Sequence, residues 1–222
     1  MQAFNTTGHI YLVDDDASIR AALTSTLERQ GYSVNAYEDT PTFLKHSTPV
    51  SPAVVLLDMR MPGQNGLEAQ ASLTQSGWTT PVIFISGESL PDQIVQAMKQ
   101  GASDFLLKPF SMQELLLTIE RCLEKDRILH GALTKTLALQ KLYSRLTPRE
   151  RAVFEQVIQG KSNKQIAQEH GSAAATVKLH RARVLAKMQV DSLAALLTML
   201  TSVDLVQMKQ PLTLNTEQGT HF

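Results

Sequence analysis

The chain has 222 residues, 43% of them hydrophobic, and its single cysteine, Cys122, excludes a disulfide framework or a thiolate metal cage. No apolar run approaches the roughly 20 residues a bilayer requires, and the start lacks the basic flank and apolar core of a secretory signal, so the expected location is the cytoplasm with no membrane partner. A formal net charge of zero conceals a division: residues 1–125 carry 8 Lys and Arg against 14 Asp and Glu, and residues 126–222 carry 13 against 7, which suits a cation in the first half and nucleic acid in the second.

In chain order, residues 10–13 predict a buried strand, as do residues 54–57 and 82–85, with weaker strands at 33–37 and 104–107. Helical patterns lie between them at 17–30, 40–45, 66–75 and 91–100. Apolar strands alternating with helices predict an α/β, doubly wound, parallel five-stranded domain over residues 1–125. Residues 111–142 are nearly free of helix breakers, and Leu115, Ile119, Cys122, Leu129, Leu133 and Leu137 recur at roughly helical spacing. This predicts a last helix running into a helical linker over 126–143, although Gly131 costs about 1 kcal/mol relative to alanine inside a helix.

An all-α, four-helix domain is expected over 144–207. Thr147, Pro148 and Glu150 form a capping box with proline at the first helical position, and Ser162 with Gln165 repeats the box for a second helix. Gly171 marks a tight turn, a third helix runs to about Met188, and a fourth starts near Asp191 or Ser192 with Leu193, Leu196, Leu197 and Leu200 on one side. The polar tail, 208–222, is expected to be disordered.

Functional residues of a doubly wound sheet gather beyond the carboxyl ends of its strands. Asp14, Asp15 and Asp16 follow the first strand, Asp58 ends the third, Ser86 ends the fourth, and Lys108 follows the fifth. Carboxylates brought together repel unless a cation binds, and their hard oxygens suit Mg²⁺. A carboxylate can attack phosphorus to form an acyl phosphate, whose oxygens a metal, an ammonium and a hydroxyl would stabilise.

Val13-Asp14-Asp15-Asp16, Leu57-Asp58-Met59-Arg60-Met61-Pro62-Gly63, Ser86-Gly87 and Asp104-Phe105-Leu106-Leu107-Lys108-Pro109-Phe110 together resemble the receiver domain of response regulators, over about residues 8–125. The resemblance implies that Asp58 is the phosphoacceptor. It implies that Asp15, Asp58 and the backbone carbonyl of Arg60 ligate Mg²⁺, with Asp14 acting mainly through water. Ser86 and Lys108 would clamp the phosphoryl group, and Phe105 would be an aromatic switch.

Residues 161–187 hold six basic side chains and one acidic one. In the third helix Val177, Val184 and Met188 share a face that would pack inward, while Lys178, Arg181 and Ala182 share one that would enter a major groove. Lys161, Lys164, Arg183 and Lys187 are placed for phosphates. Leu146-Thr147-Pro148-Arg149-Glu150-Arg151, Gly160-Lys161-Ser162-Asn163-Lys164-Gln165-Ile166-Ala167 and Thr176-Val177-Lys178-Leu179-His180-Arg181 resemble the LuxR-type helix-turn-helix of NarL/FixJ response regulators. Thr176, Leu179 and His180 join the expected DNA-binding set on that basis. Three positions depart from the pattern: His170 and Ser172 stand where the family usually has leucine and isoleucine, and Ala173 where it has a Ser or Thr cap. Ser172 is therefore expected to cap the third helix, one residue early. The two resemblances imply a DNA-binding transcriptional regulator rather than an enzyme. They imply a sensor histidine kinase, promoter DNA and RNA polymerase as partners, and a homodimer on phosphorylation. Residues 91–100 and Phe105 would join the receivers, and the stripe from Leu193 to Leu200 the DNA-binding domains.

Overall fold

The computed structural model describes residues 8–87, 91–201, 203, 208 and 209. These divide into two compact units that meet between His130 and Gly131.

The first unit is built on strands β1 (His9–Val13), β2 (Ser33–Tyr37), β3 (Ala53–Asp58), β6 (Val82–Ser86) and β7 (Asp104–Leu107), with a small hairpin, β4 (Arg60–Met61) and β5 (Gln64–Asn65), between β3 and the next helix. The five long strands form one parallel sheet in the order β2-β1-β3-β6-β7. Successive strand side chains point to opposite faces. Ile10, Leu12, Val54, Leu56, Ile83 and Ile85 thus pack against Leu23 and Leu27 of α1 (Ala17–Arg29) and Leu115 and Ile119 of α5 (Met112–Ser144). Tyr11, Val13, Val55, Leu57 and Phe84 pack against Phe43 of α2 (Thr40–His46), Leu73 of α3 (Gly66–Gln75) and Ala97 of α4 (Pro91–Lys99). Both faces are covered, which is why the central strands β1, β3 and β6 read as apolar runs.

Two local features position the end of β3. Gly66 opens α3 against the turn after Asp58: a Cβ there would lie 2.8 Å from the Met59 Cα and 3.0 Å from the Asp58 carbonyl, so only glycine fits. At the other end of the strand, the amide of Ala53 donates to a carboxylate oxygen of Asp126 at 3.0 Å. Asp126 is buried, so the carboxylate satisfies an otherwise orphaned strand-end donor. The sequence placed Asp126 at the start of the linker; it is instead a structural residue of the first unit.

The second unit comprises α6 (Pro148–Ile158), α7 (Asn163–Glu169), α8 (Ala174–Lys187) and α9 (Leu193–Leu200). Its core gathers Leu139, Tyr143 and Leu146 with Val153, Phe154, Val157, Ile166, Val177, Val184, Met188, Leu196 and Leu200. The capping boxes expected at Thr147 and Ser162 both form, and Ser192 caps α9.

Three expectations change here. Ser172 does not cap α8: the cap residue is Ala173, which offers no side-chain acceptor, while the Ser172 amide donates to the Ala167 carbonyl. Leu196 and Leu200 are buried in the unit's own core, so the leucine stripe does not stand free as an interface; Leu197 is the member left exposed, at 39%. Met208 and Lys209, assigned to the tail, belong to the unit, because Met208 is buried in its core and Lys209 pairs with Glu155 at 2.6 Å. The rest of the expected tail, residues 210–222, lies outside the described residues.

Candidate functional site

The carboxyl ends of β1, β3, β6 and β7 bring the acidic and basic residues of the first unit together. Asp14 and Asp58 are both buried, and the Lys108 ammonium bridges them, 2.9 Å from Asp58 Oδ1 and 3.2 Å from Asp14 Oδ2. The backbone holds each group in place. The Lys108 amide donates to the Ser86 carbonyl at 2.7 Å, which ties the lysine to the end of β6. Asp58 Oδ2 accepts from the Arg60 amide at 2.6 Å, and Asp14 Oδ1 accepts from the Asp16 amide at 2.8 Å. Arg20 Nη1 donates to the Asp14 carbonyl at 2.6 Å, a restraint on the acidic turn that the sequence did not reveal.

The electrostatics follow from burial. Burial is the largest influence on Asp14 and raises its carboxyl above the usual range; the neighbouring Asp58 pushes the same way, and together they outweigh the Asp16 amide and Lys108. Burial also pulls on Lys108, downward, but its hydrogen bond to Asp58 and the charges of both carboxylates outweigh that pull, and the ammonium is held above its ordinary value. A lysine that stays charged between two buried carboxylates is available to an anion that displaces them.

The three consecutive aspartates have separate roles. Asp16 caps α1, accepting from the amides of Ser18 and Ile19. Asp14 faces Lys108, and Asp15 is exposed. Ser86 is buried at the end of β6, Arg60 is exposed, and Phe105 is half-buried with its ring centroid 6.0 Å from that of Phe84. The donor set Asp14, Asp15 and Asp58 is all carboxylate oxygen, the chemistry a hard divalent cation takes. Among the described residues, no three acidic, histidine or cysteine groups converge on one point, since Lys108 lies between two of the acids.

In the second unit, α8 presents Lys178, Leu179, Ala182 and Arg183 to the surface, with Lys164 exposed on α7. Val177, Val184 and Met188 are buried, as their spacing predicts. Arg181 is half-buried and donates to Asn163 Oδ1 at 3.2 Å. Lys161 is paired with Glu169 at 2.6 Å. Thr176 and His180 line a cavity shared with α6. Lys187, expected at phosphates, has partners inside the unit: its ammonium sits 2.6 Å from Glu150 Oε2 and donates to the Arg145 carbonyl at 3.1 Å. Glu150 is buried and also accepts from the Thr147 amide at 2.8 Å, and the Lys187 hydrogen bond is the main reason its carboxyl is held down to about 2. Lys187 therefore completes the cap of α6, a link across 37 residues that no local pattern carries.

Residues 10–120 match the family model described as response regulator receiver domain, and residues 144–200 match that of bacterial regulatory proteins, luxR family. Nodulation protein W of Bradyrhizobium diazoefficiens is 40% identical over 190 residues, covering 86% of this chain and 84% of that protein. The transcriptional regulatory protein FixJ of the same organism is 36% identical over 191 residues, covering 86% and 93%. Among solved structures, the response regulator StyR superposes with a TM-score of 0.79 at 40% identity, covering 87% of this chain and 98% of that one.

Proposed function

We propose, for a chain that belongs to the response regulators in which a receiver domain precedes a LuxR-type DNA-binding domain, that Asp58 is the phosphoacceptor through which the family's switch operates here. The protein is a phosphorylation-controlled transcriptional regulator of a two-component system. Residues 1–125 act as the receiver, closed by Asp126, the rest of 126–143 as a helical linker, and 144–207 as the DNA-binding domain, with Met208 and Lys209 packed onto it.

The observation that carries the assignment is the Lys108 ammonium on Asp58 Oδ1, at the end of a buried strand. An Asp58 oxygen attacks the phosphorus of a phosphohistidine on the sensor kinase. The new P–O bond forms as the P–N bond breaks, and the electron pair leaves with the imidazole, which takes up a proton. Lys108 moves from the carboxylates to the incoming phosphoryl oxygens, and the Ser86 hydroxyl donates to another. Asp15, Asp58 and the Arg60 carbonyl would hold Mg²⁺, with Asp14 acting through water, and the ion would supply charge neutralisation at the phosphoryl oxygens. Phe105 turns inward as the site contracts. The phosphorylated receiver dimerises, and two DNA-binding domains engage a paired promoter site, where they recruit RNA polymerase. Linking two modules raises their effective concentration without any new base contact. Lys178 reads bases; Lys164 and Arg183 hold phosphates, with Thr176, Leu179, His180, Arg181 and Lys161 around them. The protein works in the cytoplasm and releases no product of its own, so it is a switch rather than an enzyme.

Acetyl phosphate with Mg²⁺ tests the site. Mass spectrometry should find one phosphoryl group per chain in wild type and none in Asp58→Asn, whose amide is no nucleophile. Full labelling of Asp58→Asn would place the acceptor elsewhere, and labelling that persists in excess chelator would remove the metal from the mechanism.

A further inference from the structure

The second unit contains a cavity of about 320 Å³ between α6 and α8, within the roughly 300–1,000 Å³ typical of small-molecule sites. Its walls divide by chemistry. Arg149, His170 and Ser172 supply a guanidinium, an imidazole and a hydroxyl, all at exposed positions. Val153 and Val177, both buried, supply an apolar floor. Among the described residues, no aspartate or glutamate lines it. His180 completes the wall, and its Nδ1 is buried with no hydrogen-bond partner. A buried polar atom left in that state carries a desolvation cost, which is relieved if the ring turns toward an occupant.

We propose that this cavity binds a small organic anion, a carboxylate on a compact apolar body. The carboxylate meets Arg149, His170 and Ser172, the body covers Val153 and Val177, and the His180 ring turns so that its Nδ1 meets a polar atom of the ligand or a water it carries. A phosphate of a duplex backbone matches the guanidinium but has nothing to lay on the valine floor. Arg149 and Val153 belong to α6, and Val177 and His180 to α8, the helix that also carries Lys178. An occupant therefore bears on both helices.

Isothermal titration calorimetry of the full unphosphorylated chain, without DNA, tests this with benzoate as the probe. Benzamide serves as its neutral counterpart and inorganic phosphate as an anion with no apolar body. Arg149→Gln and Ser172→Glu are the variants; both positions are exposed and neither belongs to the proposed DNA-contact set. The expected result is saturable benzoate binding at one site per chain. Benzamide, phosphate and both variants should each be weaker by about tenfold or more, the factor for one charge-assisted hydrogen bond. Amide resonances of Ser172, Val177 and His180 should shift with benzoate. Absence of saturable benzoate binding overturns the proposal. Equal affinity for benzamide overturns its anionic half. Phosphate binding as tightly as benzoate, with the same sensitivity to Arg149→Gln, would make this a site for the DNA backbone and would overturn the small-ligand reading. The benzamide and phosphate arms use the wild-type chain, so neither depends on a variant folding, and no arm depends on the Asp58 assignment.

Discussion

Replacing Lys187 with methionine separates two roles for one side chain, because the charge goes while most of the aliphatic stem stays. The Glu150 carboxylate is 3% exposed and lies 2.6 Å from the Lys187 ammonium. Its carboxyl is held from an ordinary 4.5 down to about 2, with the Lys187 hydrogen bond the largest cause and the Thr147 amide next. At about 1.4 kcal/mol per unit that displacement corresponds to about 3 kcal/mol in total. Lys187 supplies part of it, and its side chain is 35% exposed, so water screens the pair. We therefore expect the variant to lose about 1–3 kcal/mol of stability at pH 7. A depressed carboxyl stabilises the fold fully above its unfolded value, and that stability is lost as pH falls through the folded one. The difference between wild type and variant should then be constant from neutral pH to about 4.5 and shrink as pH approaches about 2. Urea unfolding followed by circular dichroism across this range measures the energies, and the salt dependence of DNA binding measures the contacts. If the variant keeps wild-type stability but the salt slope flattens by about one unit, Lys187 is a phosphate contact and the capping argument fails.

Asp126→Ala leaves the Ala53 amide buried without an acceptor and should cost the first unit about 1–3 kcal/mol, read by Trp78 fluorescence during unfolding; a loss within about 0.5 kcal/mol of zero would mean water replaces the carboxylate. Leu196→Ala should destabilise the second unit by about 2–5 kcal/mol, because Leu196 is fully buried. Leu197→Glu, at an exposed position, should leave stability unchanged and weaken only the dimer seen by ultracentrifugation with beryllofluoride; Leu196→Ala that keeps wild-type stability and weakens that dimer instead would restore the leucine stripe as an interface. Lys178→Ala should cost about 1–3 kcal/mol on a specific site and much less on random DNA, and an equal loss on both would make it a phosphate contact.

Much of this protein was legible in one dimension because the responsible interactions are local. Strands buried on both faces must be apolar throughout, so β1, β3 and β6 stood out as runs, while the edge strands β2 and β7, which are less buried, read more weakly. The hairpin at residues 60–65 did not, since two-residue strands have no period to detect. Thr147 and Ser162 cap through amides three residues away, and both boxes formed where the sequence put them. The acidic residues and Lys108 were recognisable because a parallel sheet sends its carboxyl ends to one edge whatever the rest of the chain does.

What the sequence determined by itself, then, is which residues form each element and which strand ends carry carboxylates, a lysine and a hydroxyl. The partner each side chain takes was decided only in the folded chain. Lys187 reads as one more basic residue on a basic helix until α6 brings Glu150 beside it. Asp126 reads as linker until the helix that carries it passes the start of β3, and Leu196 as surface stripe until α6 and α8 leave a core for it to fill. Helical periodicity specifies that a face is apolar or charged, but the choice between solvent, DNA and a neighbouring helix depends on groups distant in the chain, whose approach only packing establishes.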